Sequence, residues 1–303
     1  MKNKKPTVTI GIPAYNEERN IGRLLDSILM QDRKEFILKT VVVLNDASID
    51  GTSFIVSKKS KKNKLIKLIN GYHRKGKAER LNQLYDFNKS DILITLDADI
   101  YLGSYKEIDQ VIKQFKKNQT LLMCSLRNIP LNQNGLVGKV SNSSFLLWQE
   151  AARIYKKGNN IHTTLGSAIA IKKELLDSFR YPKNTIADQG YLYIKANQQE
   201  ENSYKYLNES VVYLKTVSTM KDYLSQGNRA VHTDKKNIAD NLGEEYLLHY
   251  RIPFTVKVKA VIKRLIVDPF YTSLALFSSV LIHLFPLSTN TKKGVWDIAI
   301  SSK

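Results

Sequence analysis

Short apolar runs alternate with amphipathic stretches through the first two thirds of this chain, and that alternation restricts its fold more than any other feature. The apolar runs lie at 8–12, 41–44, 65–69, 92–96 and 121–123, and the amphipathic stretches at 21–30, 54–58, 78–87 and 108–115. Buried parallel strands joined by crossover helices give this pattern. The sequence therefore predicts an α/β fold with a Rossmann-like, mostly parallel central sheet and flanking helices.

Polar residues directly follow three of these apolar runs, where the predicted strands end. Pro-Ala-Tyr-Asn-Glu-Glu follows at 13–18, Asn-Asp-Ala-Ser-Ile-Asp-Gly-Thr at 45–52, and Asp-Ala-Asp at 97–99. In open α/β sheets, ligands bind beyond the carboxyl ends of the strands. We therefore expect one binding site built from these three turns.

The pair Asp97 and Asp99 would repel each other unless a cation or hydrogen-bond donors were present. Mg²⁺ or Mn²⁺ needs only one or two protein carboxylates when phosphates and waters complete its oxygen shell. The pair thus favours a divalent metal that arrives with a nucleotide diphosphate. Helix capping or turn formation is the alternative role for both residues, because Asp is common at these places.

Four motifs in this order resemble the inverting glycosyltransferases of family two, which have the GT-A nucleotide-sugar-binding fold. The motifs are 13–17, 45–52, 76–78 with 81–82, and 97–99, and the resemblance covers roughly residues 7–230. It implies that Asp46 pairs with the base, commonly uracil, that Lys77 lies near the donor phosphates, and that Asp99 ligates the metal. The implied donor-binding residues are Pro13, Ala14, Tyr15, Glu17, Asp46, Lys77, Asp97, Ala98 and Arg229. The chain departs from the family where two adjacent acids are common, because it has Asn45 before Asp46.

The acceptor side lies later in the chain. Gly166 and Ser167 precede an apolar run that resembles the family segment beside the acceptor pocket, and Asp188 falls where the family has its catalytic base. Many relatives have Glu-Asp at this point, whereas here Ala187 replaces the first acid. One positioned carboxylate is enough to remove a hydroxyl proton. A helix N-cap is the alternative role for Asp188.

The segment 226–229, Gln-Gly-Asn-Arg, resembles the start of the Gln-x-x-Arg-Trp motif of processive relatives. The resemblance gives Gln226 an acceptor-side position and lets Arg229 contact the diphosphate. Ala230 stands where the motif has Trp. Without that aromatic platform, we expect transfer of a single sugar and not polymerisation.

The predicted activity is therefore an inverting, metal-dependent transfer of one sugar from a nucleoside-diphosphate sugar, with UDP-sugars favoured, to an acceptor hydroxyl. Asn45 and Ala187 leave open a catalytically inactive protein that binds sugar nucleotides. A basic nucleic-acid-binding protein is the second alternative, for which the high isoelectric point is the only argument. No aromatic-basic stacking motif stands out, so we expect no nucleic-acid partner.

The chain is strongly basic, with 47 Lys and Arg against 28 Asp and Glu and a formal net charge of +19. Such a charge favours polyanionic surfaces, including anionic lipid. A basic stretch at 257–264 leads into the uncharged segment 269–286, which falls near the lower length limit for a spanning helix. We expect a glycosyltransferase domain at 1–250 and a helical segment at 251–303, with 269–286 as an in-plane or re-entrant membrane anchor. A helix packed on the domain is the alternative.

These expectations place the protein in the cytoplasm at the inner face of the plasma membrane, where a glycan or lipid-linked acceptor would be available. Isolated residues receive structural interpretations. Trp148 is predicted to lie in the core, Cys124 to be a buried thiol, and His162 and His232 to have no catalytic or metal-binding role.

Overall fold

The central feature of the computed structural model, which describes residues 4–285 and 299–302, is a mixed sheet. Within these residues eight strands pair in the order β3-β2-β1-β4-β7-β6-β8-β5. The strands are β1 (Thr7–Ala14), β2 (Ile37–Asn45), β3 (Ile66–Asn70), β4 (Ile92–Leu96), β5 (Ile100–Leu102), β6 (Met123–Pro130), β7 (Ala168–Lys172) and β8 (Tyr204–Leu214). Among the described pairings, four are parallel and three antiparallel. The predicted α/β fold is confirmed.

Helices cover both faces of this sheet. They are α1 (Ile21–Leu29), α2 (Thr52–Lys62), α3 (Lys77–Phe87), α4 (Glu107–Lys117), α5 (Leu136–Ile154), α6 (Lys173–Ser178), α7 (Asp188–Gln199), α8 (Met220–Asn228), α9 (Asp234–Leu242), α10 (Phe254–Val267) and α11 (Pro269–Leu284). In β2, Val41 and Val43 join one apolar core, whereas Val42 and Leu44 join the other. Because both faces of β2 are covered, its sequence reads as a continuous apolar run.

Strand β7 runs antiparallel to both of its neighbours, β4 and β6. Its first residue, Ala168, is therefore paired with Leu96, the last residue of β4. Just beyond this pair, the backbone N–H of Asp97 donates to the Ser167 carbonyl at 2.9 Å. The reversed strand thus brings the segment before residue 168 to the edge where the parallel strands end.

Helices α8 and α9 are joined by a π-helical turn at Arg229–Thr233. The backbone N–H of Asp234 donates to the Arg229 carbonyl, five residues earlier. Such wide turns often lie at functional sites. Residues Arg229 and Asp234 consequently lie one wide turn apart on the same side of a nearly continuous helix.

The predicted C-terminal helical extension is confirmed as α10 and α11, which both pack against α5. Residues of α5, α8 and α11 share a small apolar core that includes Val140, Tyr223, Ala275 and Ile282. No helix in the described ranges is both long and apolar enough to cross a bilayer. The last two residues of the predicted anchor segment, 285–286, follow α11, and residue 286 lies outside the described ranges. A domain boundary at residue 250 remains a prediction.

Candidate active site

The turns after β1 and β2 are tied together by hydrogen bonds at the carboxyl edge of the sheet. The backbone N–H of Asn16 donates to Ser48 Oγ at 2.9 Å, and that of Glu17 donates to Thr52 Oγ1 at 2.7 Å. Glu17 is buried, and its carboxylate accepts a hydrogen bond from Asn20 at 2.9 Å. Residues 13–17 and 45–52 thus form one fixed wall.

An aromatic ring and a guanidinium group lie together beside this wall. The Arg74 guanidinium carbon lies 4.2 Å from the centroid of the Tyr15 ring, which is cation–π geometry. Arg74 belongs to the loop between β3 and α3. The face of Tyr15 is consequently bordered by positive charge, which suits a planar ligand that also carries phosphate.

Asp46 fixes the loop between β3 and α3. Its carboxylate accepts hydrogen bonds from the backbone N–H groups of Lys75 at 2.8 Å and Gly76 at 2.9 Å. The same carboxylate pairs with Arg80 Nε at 2.7 Å, and both side chains are buried. Gly71 leaves room for the guanidinium, since a Cβ there would overlap it. Asp46 therefore supports the site from below, while its predicted contact with a base remains a prediction.

Lys77, the first residue of α3, joins three distant segments of the chain. Its Nζ lies 2.6 Å from Asp97 Oδ1 and 3.7 Å from Asp188 Oδ2, and it donates to the Gly166 carbonyl at 3.2 Å. Burial alone would lower the pKa of Lys77, but the charges of Asp97 and Asp188 outweigh it and hold the pKa above its ordinary value. The ammonium therefore stays charged and holds these segments together.

Asp188 is the first residue of α7, and its side chain is buried. Ala187 occupies the N-cap position of α7, so Asp188 is not the N-cap residue that the alternative role required. Burial raises the pKa of Asp188, the charge of Lys77 opposes this, and the charge of Asp97 adds to it. A buried carboxylate with a raised pKa beside a cation has the properties of a general base.

A second carboxylate, the half-buried Asp234, lies near Asp188. Burial raises the pKa of Asp234 to about 6, the charge of Arg229 opposes this, and the charge of Asp188 adds to it. Burial and the charges of both carboxylates also raise the pKa of Tyr250. The Tyr250 hydroxyl lies so close to Gly190 that a Cβ there would overlap it. The π-helical turn thus brings Arg229 and Asp234 to the same site as Asp188.

The structure brings most of the predicted site residues to this one edge of the sheet. Asp99 lies close enough to Lys77 for its charge to raise the pKa of that lysine, and Ala98 is buried between the two acids. Pro13 and Ala14 end β1 at the same edge. Gln226 is different, because its side chain is exposed on α8.

The acceptor-side segment also reaches the site. The backbone N–H of Gly166 donates to Gln189 Oε1 at 3.0 Å, next to Asp188. Ser167 is buried, and its hydroxyl accepts a hydrogen bond from Asn128. Residues 166–167 therefore connect the Lys77 ammonium to the start of α7.

Cys124, Trp148 and His162 lie outside the site motifs. Cys124 is a buried free thiol, as predicted. Trp148 is half-buried and makes an edge contact with His162, whose ring also meets Tyr250. Burial lowers the pKa of His162 to about 4, so this ring is neutral at pH 7.

In the described part of the chain, no three His, Cys, Asp or Glu side chains form a group able to hold a metal ion.

Sequence reasoning missed Arg74, Arg80, Gln189, Asp234 and Tyr250. Arg74 stands two residues before the Gly76-Lys77 pair, so its place next to a motif was an available signal. Arg80 belongs to an amphipathic helix, where an arginine is usually exposed. Gln189 directly follows the predicted Asp188, which was an available signal, and it reaches the site by accepting a hydrogen bond from Gly166. The positions of Asp234 and Tyr250 depend on packing of α9 and the segment after it, which no local sequence pattern indicates.

Comparison with known proteins identifies the family of this chain. Residues 9–180 match Glycosyl transferase family 2. The chain belongs to that family. The resemblance seen in the ordered motifs is thereby confirmed, and the match includes the Asp46 loop, Lys77, Asp97 and Asp99 but ends before Asp188.

Curated relatives of this family 2 chain include polysaccharide synthases. Over 133 residues the chain is 31% identical to the hyaluronan synthase of Pasteurella multocida, a match that covers 44% of this chain and 13% of that protein. Over 134 residues it is 27% identical to the poly-beta-1,6-N-acetyl-D-glucosamine synthase of Staphylococcus epidermidis, covering 44% of this chain and 31% of that protein. The chain thus spans less than a third of the length of these relatives.

Solved structures show the same GT-A fold. A mannosyltransferase from Pyrobaculum calidifontis, solved with GDP-Man and Mn²⁺, superposes with a TM-score of 0.62 at 20% identity, over 93% of this chain and 82% of that chain. Glucosyl-3-phosphoglycerate synthase from Mycobacterium tuberculosis, solved with Mn²⁺, UDP and phosphoglyceric acid, gives a TM-score of 0.56 at 17% identity, over 78% and 79% of the two chains. At these identities the likeness establishes the fold.

Proposed function

We propose that this protein transfers a single sugar, with inversion, from a nucleoside-diphosphate sugar to an acceptor hydroxyl, and that UDP-sugars are its preferred donors. The observation that carries the proposal is the contact of the half-buried Lys77 ammonium with both Asp97 and Asp188. Asp97 directly follows strand β4 on the donor side, whereas Asp188 begins helix α7 on the acceptor side. The donor and acceptor chemistry would therefore meet within a few ångströms.

Asp188 would act as the general base. Its raised pKa makes it a stronger proton acceptor than an exposed aspartate, while the charge of Lys77 favours its ionised form. Proton removal from the acceptor hydroxyl occurs as that oxygen attacks the anomeric carbon. A single displacement of this kind, with no nucleophile from the protein, inverts the configuration.

The donor would lie along the opposite wall. Tyr15 offers a ring face to the base, and Arg74 and Arg229 offer positive charge to the diphosphate. In this proposal Asp46 either contacts the base directly or acts through the loop 71–76 that it fixes. Glu17, held by Asn20, completes the pocket.

The acidic composition of the site fits a divalent cation. Asp97, Asp99 and Asp188 converge on the Lys77 ammonium, and Asp234 lies near Asp188. Carboxylate oxygens gathered in this way are suitable ligands for Mg²⁺ or Mn²⁺. Asp99 would hold Mg²⁺ or Mn²⁺ together with the donor diphosphate, since the described protein ligands do not form a complete cage. When bound, the metal would neutralise charge on the departing diphosphate.

The acceptor would be a hydroxyl of a glycan or a lipid-linked sugar at the inner face of the plasma membrane. Ala230, in place of the aromatic residue of the processive motif, supports release after one transfer. The solved GT-A structures with GDP-Man or UDP at their sites make a guanine donor the alternative to uracil. The polysaccharide synthases among the relatives support a glycan product.

A donor screen tests this function. UDP- and GDP-sugars are incubated with simple sugar or lipid-linked acceptors, with Mn²⁺, Mg²⁺ or a chelator, and release of free nucleoside diphosphate is measured. We expect metal-dependent release with one donor, and a loss of about 10²–10⁴-fold in kcat for Asp188→Asn. Asp99→Asn should remove the response to metal. Asp177→Asn, at an exposed ion pair on α6, is the matched control and should leave turnover unchanged.

Two results would contradict the proposal. Metal-dependent nucleotide binding in calorimetry, with no release from any donor, would identify an inactive binder of sugar nucleotides. Salt-sensitive binding of single-stranded DNA with no response to nucleotides would identify a nucleic-acid-binding protein.

A further inference from the structure

Helix α10 exposes a row of large apolar side chains. Phe254, Val258, Ile262 and Ile266 follow one another at intervals of four residues, and Phe254 and Ile266 are each 78% exposed. At 100° per residue, the centre of this row lies about 180° from Ala260, which is fully buried. The row therefore points away from the body of the protein.

Helix α11 has a similar face. Phe270, Phe277 and Leu284, seven residues apart, are 61%, 65% and 66% exposed. The opposite face buries Ala275 and Ile282 in the small core shared with α5 and α8. Helix α11 therefore has one packed face and one exposed apolar face, and the in-plane anchor at 269–286 stays a prediction. Helices α10 and α11 pack against each other, and exposed apolar faces of this kind mark interaction surfaces.

Basic residues border the apolar row of α10 on both sides. At 100° per residue, Lys259 lies about 80° to one side of the row and Lys257 about 120° to the other, whereas the Lys263 ammonium pairs with Glu150 of α5 at 2.6 Å. The helix contains four basic residues and no acidic residue. Long lysine side chains keep their ammonium groups in the headgroup layer while apolar neighbours enter the acyl boundary.

We propose that α10 and α11 form a docking surface that lies flat on a membrane leaflet rich in anionic lipid. An apolar row between lysines matches the layered chemistry of that leaflet, with acyl chains below and phosphates at the level of the ammonium groups. Helix α10 has no acidic residue, and lysines lie on both sides of its apolar row. Binding to a protein partner would not require these two features, whereas binding to anionic lipid is favoured by both. The inference deepens the proposed function, because it names the surface on which a lipid-linked acceptor would be met.

The packed face of α11, opposite its exposed face, is in direct contact with the helical segment that carries Arg229. Ile282 of α11 packs against Gly227, two residues before the π-helical turn, so closely that a Cβ on Gly227 would press into its side chain. His232, within the turn, hydrogen-bonds to the Ile282 carbonyl at 3.3 Å. A membrane bound to α11 would therefore lie one helix away from the candidate active site.

Vesicle flotation tests the proposal with the full chain. The vesicles contain phosphatidylcholine alone or with about 30% phosphatidylglycerol. We expect flotation with the anionic vesicles and at least tenfold weaker binding to the neutral ones. Phe254→Ser with Ile266→Ser should weaken anionic binding at least tenfold, because two apolar anchors are lost. Lys257→Gln with Lys259→Gln should weaken it by about tenfold or more.

The matched control is Met30→Ser with Phe54→Ser, two exposed apolar residues on the distant α1–α2 side, which should leave vesicle binding unchanged. All replaced residues are exposed, so thermal melts should show folded variants with similar Tm. Equal flotation of wild type and the Phe254/Ile266 variant would overturn the proposal, as would no flotation at all. A lipid-free dimer in sedimentation velocity that the same variant dissociates would also overturn it, because a second copy would then cover the surface.

Release of nucleoside diphosphate with a soluble acceptor and no vesicles is measured for the same variants. We expect this rate to be unchanged by the docking substitutions. Vesicle binding without any sugar transfer would support the docking surface and refute the proposed function. Sugar transfer without vesicle binding would support the proposed function and refute the docking surface.

Discussion

Replacing Asp234 with asparagine should make the protein more stable at neutral pH. Burial raises the pKa of Asp234 to about 6 against the charge of Arg229, compared with an ordinary value of 3.8. The difference is about two pKa units. At about 1.4 kcal/mol per unit, ionisation of this carboxyl lowers the free energy of unfolding by about 3 kcal/mol relative to a protonated Asp234.

The sign depends on the protons bound in each state. Between pH 3.8 and about 6 the folded protein keeps the Asp234 proton while the unfolded chain has lost it. The contribution of Asp234 to the free energy of unfolding therefore falls as pH rises through this window and levels off above about pH 7. Asparagine does not ionise and escapes this loss. We define the stability gap as the free energy of unfolding of Asp234→Asn minus that of wild type. From about pH 4.5 to 7.5 this gap should increase by about 2 kcal/mol.

Urea unfolding at several pH values, monitored by circular dichroism, measures this shift. Any constant cost of the Asn side chain appears equally at each pH, so the change of the gap with pH is the quantity to compare. Asp240→Asn, exposed on the same helix, is the control, and its gap to wild type should stay constant. A gap for Asp234→Asn that is constant with pH, or that shifts against the variant as pH rises, would refute the reasoning.

Two further substitutions probe the supports of the site. Lys77→Met removes the ammonium between Asp97 and Asp188 and should cost about 2–3 kcal/mol in urea unfolding at pH 7.5, since it leaves the buried Asp188 and the half-buried Asp97 without their shared cation. A cost below about 1 kcal/mol would show that water replaces the ammonium. Gly71→Ala should lower Tm by several degrees, because the new Cβ would displace the Arg80 guanidinium. Gly22→Ala, where a Cβ makes only ordinary contacts, is the control and should leave Tm unchanged or raise it.

Apolar runs predicted the first four parallel-sheet strands because those strands are buried on one or both faces. The run at 121–123 marks the right place, but β6 begins at Met123 and extends to Pro130. The polar residues of β6 after Cys124 interrupt the apolar pattern, so the sequence does not indicate this extension. Asn128, for example, is buried because its side chain donates to Ser167 and its carbonyl accepts from Gln149. The apolar pattern at 168–172 indicated a strand, but not that it would run antiparallel between β4 and β6.

Motif order predicted the site residues that belong to the strand ends, and family membership explains why. The Arg80–Asp46 pair was not predictable, since an arginine in an amphipathic helix carries no sign of its buried partner. Asp234 and Tyr250 escaped for a different reason. Asp234 faces the site only because five residues, and not four, complete the turn after Arg229. Sequence periodicity assumes an α-helical turn and places Asp234 elsewhere.

The wide turn at Arg229–Thr233 also determines which changes of length this helix can accept. Each residue of an α-helix is rotated by about 100° about the helix axis relative to the one before it. The wide turn contains one residue more than a regular turn, so deleting one of its residues would restore regular winding and leave Asp234 on the same side as Arg229. Deleting a residue of α9 before Ile238 would instead swing the Ile238 side chain, now fully buried among residues of α7, by about 100° out of that core. Loss of one residue should therefore be accepted within the wide turn and not within α9.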